Sequence, residues 1–197
     1  MPQLVSTVFR WLPLILLSLP VAELLLDLYR VRTPEKQTKA ILALADRLAP
    51  SFITSVTRFN VRTRKLGVTT RPWLPIPSAA LTRIGKLAHE SPFPAYFAAS
   101  GDRNWRALDD FMPVEDFQQT RLYKAMFSPI QCTQIISTML ASIEQDQISL
   151  TLCRRSPVYS ERERMLLNLV TPHLSLSYNN AEVLERIRRT GSELRAV

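Results

Sequence analysis

Two stretches of alternating residues, each folded back by a short turn, constrain this chain more than any other feature of its sequence. SFITSVTRFNV alternates β-branched or aromatic residues with polar ones, TRKLG supplies a turn and VTTR follows, so residues 52 to 71 predict a hairpin. QCTQIISTMLA and ISLTLCRR alternate likewise on either side of the turn-like EQDQ and predict a second hairpin. Strands that arrive in hairpin pairs form an antiparallel sheet, because a parallel pair needs a long crossover.

Helical patterns fill the space around these pairs. TPEKQTKAILALADRLAP has Thr33 as N-cap, Pro34 at the first helical position and apolar residues at Ile41, Leu42, Ala45 and Leu48. Further helices are expected from Val21 to Tyr29, from Ser78 to about His89, and from Pro113 to Phe127, with short helix and loops between 91 and 112. SERERMLLNLV opens with a capping box, Ser160 three residues before Glu163, and a last helix follows from about Pro172 to Leu194. Helix, hairpin, helices, hairpin, helix is the order of an α+β domain, and GAF and PAS folds share it.

One domain of ordinary size fits 197 residues, and 46% hydrophobic residues with only four glycines supply a core. The apolar run WLPLILLSLPVA, residues 11 to 22, is too short for a membrane span, carries Pro13 and Pro20, and is followed by Glu23 and Asp27. Residues 1 to 20 are therefore read as a loosely attached extension or the product of a start codon placed too early, and no membrane span is expected. The formal charge of +8 is scattered in small clusters at Arg62, Arg64 and Lys65, at Arg154 and Arg155, and at Arg186, Arg188 and Arg189. Cys132 and Cys153 show no zinc spacing and predict buried, reduced thiols, with a pairing across adjacent strands as the alternative.

Catalytic chemistry finds little material. His89 and His173 are the two histidines, and neither stands in a recognisable motif with a nucleophile. Asp109 and Asp110 are adjacent carboxylates that diverge on any regular element, so capping or loop ordering is expected of them. Four glycines leave no phosphate-cradling loop, and neither a metal nor a cofactor is expected.

Two ordered blocks carry a family likeness. Residues 100 to 130 hold Gly101 and Asp102, Asp109 to Phe111, Thr120, Leu122 and Tyr123, and Phe127 to Pro129. Residues 158 to 182 hold Ser-Glu-Arg from Ser160, Leu-Leu-Asn-Leu from Leu166, Pro-His-Leu from Pro172, then Tyr178 and Asn180-Ala181. Together they resemble the GAF-like sensor half of LuxR-type transcription regulators, over roughly residues 21 to 190.

That resemblance implies a cytoplasmic, non-enzymatic sensor spanning residues 21 to 178, with residues 179 to 197 as a linker or dimerisation helix. It further implies a small-molecule effector held between one sheet face and its covering helices, a site in which Trp73, Tyr96, Trp105, Phe111 and Tyr123 are the candidate residues. The 25 or so residues left after SERERMLLNLV are too few for a helix-turn-helix domain of ~60, so specific duplex DNA binding by this chain is not expected. Leu176, Val183, Ile187 and Leu194 recur along one stripe of the last helix and predict a homodimer. The competing expectation is a degenerate regulator that serves only as an interaction module. An apolar cavity of at least ~300 Å³ favours sensing, and a filled cleft favours the alternative.

Overall fold

The computed structural model describes residue 23, residues 25–30 and residues 33–193. The extension over residues 1 to 20 and Leu194 lie outside the described residues. Residues 25–30 are helical and lead into α1 (Pro34–Leu48), where Thr33 Oγ1 accepts the Lys36 N–H as N-cap and Ile41, Leu42 and Ala45 are buried.

Five strands follow: β1 (Ile53–Asn60), β2 (Leu66–Arg71), β3 (Arg106–Ala107), β4 (Gln134–Ile143) and β5 (Asp146–Arg154). Their order is β2-β1-β5-β4-β3, every pair antiparallel, so the expected α+β class with an antiparallel sheet is found. The two expected hairpins are β1–β2 and β4–β5, and β5 docks on β1 to make one sheet. The two-residue β3 was not expected; it adds an edge where Arg106 and Ala107 pair with Ser137 and Ile136.

Because strand side chains alternate, β1, β4 and β5 each feed two cores. On one face Val56, Ile136, Leu140, Ile148, Leu150 and Leu152 meet α1 and the long α5 (Glu161–Glu193). On the other, Ile53, Ile135, Met139 and Cys153 meet α2 (Ser78–Leu87), α3 (Pro92–Ser100) and α4 (Val114–Gln119). Gly85 lets α2 rest on the β1–β2 turn, since a Cβ there would overlap the Arg64 carbonyl oxygen.

Two helical expectations need correction. The helix read from Pro113 to Phe127 breaks at Thr120, which turns to extended backbone (ψ 152°). The Thr120 hydroxyl donates to Phe117 O and accepts the Tyr123 N–H, closing α4 and starting a separate wide turn, the π-helical Tyr123–Phe127. The last helix does not begin at Pro172 but runs through it, because Leu167, Val170, Leu174 and Tyr178 lie on both sides of the proline and pack on one core. Asp110 orders its loop by accepting the Ala107 N–H at 2.9 Å, while the N-terminus of α4 has no side-chain cap.

Candidate functional site

A cavity of about 100 Å³ lies between the second sheet face and the helices over it. Its floor is polar. Ser55 and Thr57 of β1, Ser137 of β4, and Gln147, Ser149 and Thr151 of β5 all line it. The register makes this a continuous patch, with Thr151 opposite both Ser55 and Ser137, and Ser149 opposite Thr57. Its roof is apolar, built by Phe93 and Phe97 of α3, Phe117 of α4, and Leu122, Met126 and Phe127 around the π turn.

Part of the floor is satisfied internally. Ser137 Oγ lies 2.9 Å from Thr151 Oγ1 and 3.2 Å from Leu150 O, to which it donates, and Ser55 Oγ donates to Thr151 O at 3.4 Å. Gln147 Oε1 is buried without a hydrogen-bond partner. A buried acceptor left unpaired costs about 1–3 kcal/mol, so it marks a place where a ligand donor is welcome. Among the described residues no charged side chain lines the cavity, and the arrangement suits a neutral molecule with an apolar body and a small polar edge.

None of the five residues proposed from sequence lines this cavity. Trp73 is 76% exposed in the Pro72–Pro77 segment after the edge strand, outside any core. Trp105 is 1% exposed but belongs to the opposite core, where its indole Nε1 donates to Thr171 Oγ1 at 2.8 Å. Tyr96 spends its hydroxyl on Asp102 at 2.9 Å and its ring on Phe97 and Phe111. Phe111 packs edge-on against Phe93, and Tyr123 against Phe117, so both stand behind the aromatic roof. The aromatic rings that line this cavity are Phe93, Phe97, Phe117 and Phe127.

Asp102, in the Gly-Asp of the first block, has a structural role. Burial alone pushes its carboxyl up, yet the Asn104 N–H, the Arg106 guanidinium and the Tyr96 hydroxyl outweigh this and hold it at about 2. His173 Nδ1 lies 2.9 Å from the Tyr29 hydroxyl, and His89 Nδ1 lies 3.0 Å from Lys86 O, the two histidines being on separate elements. Among the described residues no three His, Cys, Asp or Glu side chains group as a metal site, and no helix is long and apolar enough to cross a membrane. Cys132 and Cys153 are buried free thiols.

Half of the residues in the basic clusters are paired. Arg154 binds Glu163, Arg186 binds Glu144, and Arg188 and Arg189 bind Glu185.

The sequence matches no protein-family model and no curated protein. Its fold does match solved structures. The VqsR LBD domain from Pseudomonas aeruginosa superposes with a TM-score of 0.62 at 17% identity, over 83% of this chain and 94% of that one. CepR2 from Burkholderia cenocepacia, an N-acylhomoserine lactone dependent LuxR family transcription factor, gives 0.54 at 15% identity over 82% and 96%. The GAF domain/HD domain protein from Geobacter sulfurreducens gives 0.52 at 14% over 81% and 98%. The chain has the GAF-like fold of LuxR-type sensor domains. In this GAF-like domain the cavity sits beneath the helices that follow β2.

Proposed function

We propose that this GAF-like domain is a cytoplasmic, non-enzymatic sensor that binds a compact, uncharged amphipathic effector in the cavity and works as a homodimer, without reading specific DNA sequences itself. The observation that carries the reading is the polar patch on β5, the central strand. A sheet face roofed by helices is normally apolar, and hydroxyls there without partners cost free energy that a ligand can return. Gln147 Oε1 is buried and unpaired, and the half-buried Thr57 and Ser149 line the cavity beside it. The neighbours of this fold that are ligand-binding domains support the reading.

The volume favours the competing interaction module. About 100 Å³ is the room of roughly three waters, well below the ~300 Å³ of ordinary ligand sites. An effector of ordinary size therefore enters only by moving side chains, and Met126 and Met139, unbranched and adaptable, are the wall residues suited to yield.

Thermal unfolding with a panel running from indole to a short-chain N-acylhomoserine lactone separates the readings. At a concentration ~100-fold over Kd, a bound probe stabilises by ~2.7 kcal/mol, an upward shift of at least about 5 °C. The double variant Thr57→Val with Ser149→Ala is expected to be about 1 kcal/mol more stable than wild type without probe and to lose the probe's shift, as binding-site polarity held at a cost in stability predicts. No shift with any probe favours the interaction module. A variant less stable than wild type makes the hydroxyls structural.

A further inference from the structure

The long C-terminal helix is apolar on two opposite faces. Leu167, Val170, Leu174, Tyr178 and Ala181 are buried against the domain. Diametrically across, Met165, Leu169, Leu176, Val183 and Ile187 are all more than half exposed. At ~100° per residue these five fall within an arc of about 40° and run for ~33 Å. Pro172, His173, Asn179 and Asn180 fill the rest of that face, so it carries no Asp, Glu, Lys or Arg between 165 and 187. Leu26, 61% exposed, and Tyr29, whose hydroxyl meets His173, widen the patch on one side. The opposite flank and back of the helix hold Glu182, Glu185, Arg186, Arg188 and Arg189. A charge-free apolar strip of this length on a solvent face marks a protein contact.

Resting on the homodimer reading above, we propose that a second copy of this chain covers the strip, with the two α5 helices antiparallel about a two-fold axis at Leu176. The spacing of the five residues is palindromic, with intervals of four, seven, seven and four. Antiparallel pairing therefore sets Met165 against the partner's Ile187, Leu169 against the partner's Val183, and Leu176 against the partner's Leu176. A parallel pair would instead stack Val183 on the partner's Val183 and leave less side chain at that layer. It would also align the helix dipoles unfavourably and bring Arg162 towards the partner's Arg162, whereas antiparallel pairing faces Arg162 with the partner's Thr190. Both domains lie on the outer sides of the pair, since each strip points away from its own core. A strip ~33 Å by ~10 Å on each protomer, with Leu26 and Tyr29 beside it, buries on the order of 1,000 Å² in total. That is the low end for a specific interface, so association in the micromolar range is expected.

The test uses the full chain. Sedimentation from 1 to 100 µM is expected to show dimer at tens of micromolar, and Leu169→Glu with Leu176→Glu is expected to give monomer with unchanged circular dichroism. A mixture of the Met165→Cys and Ile187→Cys proteins, mildly oxidised, is expected to form the mixed disulfide at least tenfold faster than either protein alone forms its own. Wild type, whose two thiols are buried, is the control. Wild type that stays monomeric overturns both the homodimer reading and this geometry. A dimer in which the Met165→Cys protein cross-links to itself keeps the homodimer and overturns the antiparallel arrangement. A dimer untouched by the two glutamates places the interface elsewhere and overturns the strip.

Discussion

Trp105→Ala is expected to lower the stability of the domain by about 4 kcal/mol, a loss of roughly 8–16 °C in Tm. The indole is 1% exposed, in the core between the sheet and α1 and α5, and nothing nearby can collapse far into the space it leaves. Its Nε1 donates to Thr171 Oγ1, which itself donates to Leu167 O, so removal leaves a buried hydroxyl without its donor. The backbone N–H of Trp105 goes to Asn168 Oδ1 at 2.8 Å and survives the substitution. Trp105→Phe keeps most of the apolar volume and loses the Nε1 bond, and about 1–2 kcal/mol is expected for it. Urea unfolding of both variants measures the difference. The Phe variant also tests the placement of the site. It is expected to keep the full thermal shift with any probe that binds wild type, because Trp105 stands on the far face of the sheet. Loss of that shift would return Trp105 to the ligand cleft.

The sequence was most informative where a local rule decides the outcome alone. Thr33 and Pro34 start α1, and alternation around two turns fixes both hairpins. The cavity floor was hidden for a physical reason. In ISLTLCRR the alternation of Ile148, Leu150 and Leu152 with Ser149 and Thr151 reads as one buried and one wet face. That reading holds for a sheet covered on one side, but β5 is the middle strand of a sheet covered on both. Which partner strand lies beside it is a long-range fact that periodicity does not carry. The choice among aromatics failed similarly, since Phe93 and Tyr96 share one turn of α3 and only packing decides which ring faces the sheet. Pro172 misled because a proline's local cost can be offset by packing on both sides of it. The apolar stripe, by contrast, was legible at Leu176, Val183 and Ile187, and it became longer by Met165 and Leu169 once the helix proved continuous.

Arg154→Leu is expected to cost about 3 kcal/mol near neutral pH, and the deficit should shrink in acid. Arg154 looked like half of a surface basic pair in the sequence, yet it is 7% exposed. Its Nε donates to Pro50 O at 2.7 Å, its guanidinium pairs with Glu163, and it stacks over the Tyr159 ring at 4.1 Å. It thereby ties the end of β5 to the first turn of α5 and to the segment after α1. Breaking a buried pair costs ~3–5 kcal/mol, and the lower end applies because the Glu163 side chain is 21% exposed and reaches water. Replacing Glu163 as well, by Gln, removes the stranded charge, and the double variant is expected to recover more than 1 kcal/mol of the loss. The pH dependence follows from the same contact. The Arg154 hydrogen bond, helped by the Ser160 N–H and hydroxyl, holds the Glu163 carboxyl down at about 2 against an ordinary 4.5. A carboxylate with a lowered folded-state value adds stability above pH 4.5 and gives it up as pH falls towards 2. Wild type therefore loses this contribution across that window, while the Arg154→Leu protein, which lacks the pair, has less to lose. Urea midpoints measured at pH 7, 5, 4 and 3 should bring the two proteins closer together only below about pH 4.5. A gap that stays constant down to pH 3 would mean that Arg154 acts through Pro50 and Tyr159, and that its charge on Glu163 adds little.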